Sequence, residues 1–127
     1  METTEELLKE ALFVKKVTEA VIAEANGVPV GYAVYFHNFS TFVGRPGIYL
    51  EDIYVKPEHR GKGYGKAMLA YVAKLAVERN CGRLEWTVLD WNAPSIAFYK
   101  SLGAKPLEEW TIYRLDKDTL KGLADTF

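Results

Sequence analysis

The stretch that decides the fold lies between Ile48 and Arg79 and reads IYLEDIYVKPEHRGKGYGKAMLAYVAKLAVER. It begins with an almost continuously apolar segment, residues 48–55, whose charged residues are Glu51 and Asp52. Such a pattern predicts a central strand that is buried on both faces. Residues 66–79 carry apolar side chains at helical spacing and predict an amphipathic helix. The order is therefore strand, glycine-rich turn, helix.

The turn at residues 60–65 has the sequence RGKGYG. Because it leads into a helix, the first free N–H groups of that helix point into the turn, and glycines let an anion approach the backbone closely. Two known phosphate-binding patterns do not fit: Lys66 replaces the third glycine of the dinucleotide fingerprint, and Ala67 replaces the hydroxyl of the nucleoside-triphosphate loop. We interpret the turn as a phosphate or pyrophosphate site, the alternative being a flexible connection.

Upstream of this stretch, the pattern predicts one helix and two strands. Residues 4–13 predict a short helix with one apolar face. Residues 16–25 and 30–39 predict strands, and Asn26-Gly27 between them predicts a tight hairpin because both residues tolerate positive φ. Residues 41–47 predict a loop.

Downstream, strands and helices continue to alternate. Residues 83–89 predict a strand, and a short helix should run from Asn92 to about Ser101, with Gly103 as its stop. Residues 107–115 predict a strand, and residues 116–124 a small terminal helix. The whole pattern predicts an α/β domain on a mixed sheet, with residues 1–127 forming a single domain.

Composition limits the function classes. With 127 residues, 49% hydrophobic and 13% aromatic, the chain can bury one core and is not disordered. The acidic start and the lack of a long apolar run predict a cytoplasmic protein without a membrane span. A net charge of −1 offers no basic excess for nucleic acid. The lone Cys81 excludes an internal disulfide and a cysteine-built zinc site, and two histidines argue against a metal centre.

The residues resemble the GNAT superfamily of acetyl-CoA-dependent N-acetyltransferases. Its motif [QR]-x-x-G-x-[GA] is matched by Arg60, Gly63 and Gly65. The blocks YLEDIYV (residues 49–55) and WNAPSIAFYKSLGA (residues 91–104) resemble the diamine and polyamine branch, which includes the spermidine/spermine and thialysine acetyltransferases. The resemblance covers about residues 19–115. It implies a mostly antiparallel twisted sheet flanked by helices, here without the usual first strand and first helix.

The resemblance also implies a set of site residues. Backbone groups of Ile53, Tyr54 and Val55 would pair with the pantetheine arm of acetyl-CoA. Asn92 and Ser95 would contact the far side of the coenzyme. The pyrophosphate would be held by the main chain of the turn, with the cofactor-binding residues Arg60, Gly61, Lys62, Gly63, Tyr64, Gly65 and Lys66.

Two side chains are implied in catalysis: Glu51 would relay the proton of the substrate amine through water, and Tyr99 would protonate the departing thiolate. Acetyl transfer to an amine requires both proton movements and a donor to the oxyanion. Two alternatives remain open from the residues alone. Glu51 could be solvated opposite Asp52, and Tyr99 could be a core residue on the stripe of Ser95, Phe98 and Leu102.

We therefore expect an N-acetyltransferase that moves acetyl directly to a primary amine of a small molecule, such as a diamine, polyamine or amino-acid-like amine. The alternatives are a non-catalytic coenzyme A-binding module, a truncated and weakly active enzyme, or an acetyltransferase for protein N-termini or lysines. Because the expected first strand is missing, the strand at residues 16–25 would be an open sheet edge. We expect a homodimer to cover it.

Overall fold

The computed structural model describes residues 2–127, and its elements follow the predicted order except for the strand expected at residues 107–115. The first helix, α1 (Glu5–Lys9), continues into a π-helical turn over Glu10–Val14. Helix α2 (Tyr64–Glu78) follows a 3₁₀ turn at Pro57–His59. Helices α3 (Ala93–Ser101) and α4 (Lys117–Ala124) come last. The strands are β1 (Glu19–Ala25), β2 (Val28–Ser40), β3 (Arg45–Val55) and β4 (Leu84–Glu85).

The strands form one mixed sheet in the order β1-β2-β3-β4. The first three are antiparallel neighbours, and β4 runs parallel to β3 through the pairs Ile48–Leu84 and Tyr49–Glu85. The hairpin between β1 and β2 turns at Asn26 and Gly27, whose φ angles are +52° and +78°, as the sequence predicts. The mixed, mostly antiparallel α/β sheet is thus confirmed.

The core lies between the sheet and α2. Helix α2 packs against β1, β2 and β3. Its contribution is one apolar stripe, and the buried apolar side chains of both layers are Val30, Ala33, Tyr35, Ile48, Leu50, Met68, Leu69, Val72 and Ala76. Gly31 brings the layers close, because a Cβ there would lie 2.5 Å from the carbonyl oxygen of Tyr54 and 3.1 Å from Cε of Met68. An ion pair fastens the end of the helix: Arg79 donates to both carboxylate oxygens of Glu19 at 2.8 and 2.9 Å.

The chain divides into two compact units, one ending at Thr87 and the other comprising Val88–Phe127. The first contains the sheet and α2, and the second contains α3 and α4. The expectation that all 127 residues act as one domain stays a prediction.

Several predicted boundaries are wrong. The segment 107–115 forms no strand, because it has no partner strand and extended backbone needs one to satisfy its N–H and C=O groups. The strand predicted at 83–89 shortens to Leu84–Glu85, and that at 16–25 begins only at Glu19. The loop predicted at 41–47 is a tight turn, so β3 already begins at Arg45. Finally, β3 is not buried throughout: Glu51 and Asp52 are exposed.

Candidate active site

A β-bulge in β3 places Glu51 outside the ladder. Val34 of β2 lies opposite Asp52 and the next residue, Tyr35, lies opposite Leu50, so Glu51 has no partner. A bulge breaks the strict alternation of side chains between the two faces. Glu51 and Asp52 therefore need not point to opposite faces of the sheet, as neighbours in a regular strand would. Both carboxylates are exposed, which removes the desolvation cost expected for an acid in an apolar strand.

The bulge also changes which edge of β3 carries free backbone groups. The N–H of Ile48 donates to the carbonyl of Arg83 at 3.1 Å, on the β4 side, whereas the N–H of Lys56 donates to Val30 on the β2 side at 2.8 Å. Residues 48 and 56 are an even number of residues apart, so in a regular strand their N–H groups would point to the same side. They point to opposite sides because the bulge adds one residue between them. Counting back from Lys56 by alternation, the backbone groups of Val55 and Ile53 face the β4 side. Those of Tyr54 face β2, consistent with its carbonyl lying against Gly31.

That side of β3 is open beyond Tyr49. The β3–β4 ladder stops at the pair Tyr49–Glu85, and among residues 2–127 no other strand continues it. The structure therefore leaves the N–H and C=O groups of Ile53 and the N–H of Val55 available to an extended amide-containing ligand. The carbonyl of Val55 is occupied, because Nε of Arg60 donates to it at 2.9 Å.

The glycine turn ends at the first residue of α2. Gly61 and Gly63 have φ angles of +77° and +88°, a region that other residues rarely adopt, and Gly63 is the N-cap. The first intrahelical bond runs from Ala67 N–H to the Gly63 carbonyl at 3.0 Å, so the N–H groups of Tyr64, Gly65 and Lys66 have no partner within the helix. The first turn contains no acidic residue. The helix dipole and these donors together favour an anion.

Two tyrosines, Tyr32 and Tyr54, lie near Asp52. The hydroxyl of Tyr32 donates to Oδ2 of Asp52 at 3.1 Å, and its ring lies 5.6 Å from that of Tyr54. Burial, followed by the hydrogen bond to Asp52, raises the pKa of Tyr32. The contact between Tyr32 and Asp52 was not predicted from the sequence. The consecutive acids in an apolar strand mark the position but do not identify a partner in β2.

The second unit positions the other predicted residues. Asn92 caps α3, its Oδ1 accepting from the N–H of Ser95 at 3.3 Å, and Gly103 ends the helix region with φ +88°. Tyr99 lies two residues before the end of α3 and is half-buried, with its ring centroid 5.6 Å from that of Phe98. Burial raises the pKa of Tyr99 above its ordinary value, which keeps the phenol protonated.

Within residues 2–127, no helix is both long and apolar enough to cross a bilayer. No three His, Cys, Asp or Glu side chains in this range gather closely enough to hold a metal ion.

An exposed strand edge followed by a glycine turn and a helix N-terminus suits a long ligand with an anionic group. The model of the acetyltransferase (GNAT) family matches residues 2–104. The chain belongs to this family, which confirms the resemblance drawn from the sequence.

Individual relatives with similar sequences are named as thialysine and ornithine acetyltransferases. The chain is 43% identical over 113 residues to a thialysine N-epsilon-acetyltransferase of Bos taurus, covering 83% of this chain and 66% of the relative. It is 42% identical over 96 residues to an L-ornithine N5-acetyltransferase of Arabidopsis thaliana, covering 76% of this chain and 42% of the relative. The chain thus spans less than two thirds of either relative.

A solved structure agrees with the fold. An integron cassette protein from the mobile metagenome of V. cholerae superposes with a TM-score of 0.82 at 29% identity, covering 96% of this chain and 78% of the other.

Proposed function

We propose that the protein is an acetyl-CoA-dependent N-acetyltransferase that acetylates a primary amine of a small molecule. The observation that carries the proposal is the open edge of β3, followed after one 3₁₀ turn by the glycine turn at the start of α2. An extended pantetheine arm carries amides that can pair with a strand edge, and a pyrophosphate suits free N–H groups at a helix N-terminus. The names of the relatives favour diamines, polyamines or amino-acid-like amines as acceptors.

In this proposal the backbone groups of residues 53–55 align the thioester arm, and the turn holds the pyrophosphate. Lys62 and Lys66, both exposed, add positive charge beside the free N–H groups. Asn92 and Ser95 in the second unit contact the coenzyme from its far side. Their side-chain to backbone bond already caps α3, so this contact would be additional to a structural role.

The reaction requires the amine to lose a proton, to form a C–N bond at the thioester carbon, and to expel the thiolate. Glu51 is exposed to solvent, which suits transfer of the amine proton through water to its carboxylate. Tyr99 supplies a proton to the sulfur as the C–S bond breaks. A free thiol has a pKa near 8.5 and a tyrosine near 10, so this transfer requires bulk solvent to be displaced from around the sulfur and the Tyr99 hydroxyl. Cys81, the one cysteine, lies beyond α2 and outside the glycine motif, which favours direct transfer in a ternary complex.

Two broader features belong to the proposal. We expect a homodimer, because β1 pairs on one side with β2 and, within residues 2–127, has no strand on its other side. We also expect a cytoplasmic location, where acetyl-CoA is available.

The test combines binding with turnover. Calorimetry should show acetyl-CoA binding, and release of free thiol should follow addition of ornithine, thialysine, lysine, putrescine or spermidine. A control with an amine-free alcohol should release none. Binding without turnover on any amine, including N-terminal peptides, would identify a coenzyme-binding module. Absence of acetyl-CoA binding would overturn the proposal.

A further inference from the structure

Arg60 connects the two halves of the proposed coenzyme site. Its side chain reaches back to the end of β3, where Nε donates to the carbonyl of Val55 at 2.9 Å. Its guanidinium also lies over the ring of Tyr54, 5.5 Å from the centroid. Two consecutive residues of β3 therefore hold the arginine side chain.

The backbone of the same residue begins the glycine turn. The N–H of Arg60 closes the preceding 3₁₀ turn on Pro57 at 3.3 Å, and Gly61 follows at φ +77°. Glycine lacks a Cβ and has more backbone freedom than other residues, and a Cβ built on Gly61 or Gly63 would meet nothing within 4 Å. No side-chain packing at Gly61 or Gly63 fixes the turn, so the bonds of Arg60 would act as a tether that limits where it can lie.

The bond from Arg60 to the Val55 carbonyl lies at the strand edge that the ligand would use. The carbonyl of Val55 is on the open side of β3, next to the free groups of Ile53, as the hydrogen bond of Lys56 to Val30 shows by alternation. The Arg60 bond therefore sets the position of the turn relative to this edge. A ligand that contacts both regions binds best when they are already held in place.

We propose that Arg60 is a positioning residue: its Nε–H bond to the carbonyl of Val55 holds the glycine turn in place beside the edge of β3, and this function does not depend on its charge. This inference rests on the proposed coenzyme site. The competing role is a direct ion pair between the guanidinium and a phosphate of the ligand.

Covalent geometry separates the two roles. Glutamine carries an N–H donor on the atom bonded to Cδ, the same position as Nε of arginine, but has no charge. Lysine carries the charge but has a methylene at that position. For the positioning role, Arg60→Gln should bind acetyl-CoA within about threefold of the wild type, while Arg60→Lys and Arg60→Met should each bind about tenfold or more weakly. An ion pair with phosphate predicts the reverse order for the glutamine and lysine variants, which would overturn the proposal.

A measurement without ligand tests the tether itself. Amide hydrogen exchange at residues 61–66 should accelerate in Arg60→Lys and Arg60→Met and stay near the wild-type rate in Arg60→Gln. Lys56→Gln is the matched control, since it removes one neighbouring charge and leaves the Val55 bond intact; its exchange should be unchanged. Thermal melts establish that each variant folds. If wild type fails to bind acetyl-CoA, the proposed function fails, yet the exchange pattern still supports or overturns the tether. Equal exchange in all variants would overturn it.

Discussion

Gly63 shows how one residue can serve a site through its backbone alone. It caps α2 at φ +88°, and a Cβ there would meet no atom within 4 Å. The cost of substitution is therefore backbone strain, about 1–2 kcal/mol for a residue forced into this region. This strain would distort the backbone N–H groups at the start of α2, where the anion is expected to bind.

Gly63→Val should weaken acetyl-CoA binding by more than about tenfold, equivalent to about 1.4 kcal/mol, while the protein still folds. Calorimetry measures the affinity, and a thermal melt measures the stability. The control is Gly44→Val, which imposes a similar strain at φ +75° in the turn between β2 and β3. That variant should lose stability but keep its affinity; equal affinity in both variants would argue against the phosphate site.

Tyr99 has a hydroxyl that can be removed without changing the ring. If it protonates the thiolate, Tyr99→Phe should lower turnover by about 10²–10⁴, the usual range for general acid catalysis, with little change in coenzyme affinity. Tyr113→Phe is the control, because Tyr113 lies in the same unit and is 92% exposed. Normal turnover in the Tyr99 variant would return this residue to a packing role.

The pH dependence tests the same residue independently. Burial disfavours the phenolate and raises the pKa of Tyr99 above its usual value near 10. The acid form is thus complete at low pH and is lost only as pH rises through that raised pKa. We expect turnover at saturating amine to show no decline due to Tyr99 below about pH 10. A fall in turnover centred near pH 8, with a midpoint that shifts in heavy water, would contradict the assignment of Tyr99 as the general acid.

At the scale of elements, Gly31 controls how closely β2, β3 and α2 pack. Because a Cβ at this position would overlap the carbonyl oxygen of Tyr54, Gly31→Ala must push the strands or Met68 apart. We expect a loss of about 1–3 kcal/mol in the free energy of unfolding, measured by urea denaturation. Gly65→Ala is the control in the same unit, since its Cβ would meet only Cγ2 of Val55 at 3.9 Å. An unchanged midpoint for Gly31→Ala would show that the packing is looser than described.

The elements differ in how well the sequence predicts them. The strand, turn and helix around the RGKGYG segment were predictable, because glycine spacing and helical periodicity are local properties. Residues 107–115 also have the local pattern of a strand, but they form none. A strand depends on a partner that no local pattern specifies. The bulge at Glu51 and the bond from Arg60 to Val55 were unpredictable for the same reason: both depend on contacts between segments.

For the whole molecule, the prediction concerns assembly. The outer edge of β1 has no partner among residues 2–127, and the second unit exposes Trp110 (77%) and Ile112 (72%). Exposed apolar surface of this kind is commonly buried against another chain. Light scattering coupled to gel filtration should give twice the chain mass of 14.4 kDa at micromolar concentration. A monodisperse species of one chain mass would exclude the homodimer.

The bulge in β3 makes Glu51 the one residue between Arg45 and Val55 that the ladder with β2 does not use. Without Glu51, the pairs Tyr35–Leu50 and Val34–Asp52 would simply become consecutive pairs of a regular ladder. The backbone groups of Ile53 and Val55 would stay on the same free edge. The pairing of the sheet therefore does not require this position, and a chain one codon shorter here would keep the edge while losing the carboxylate.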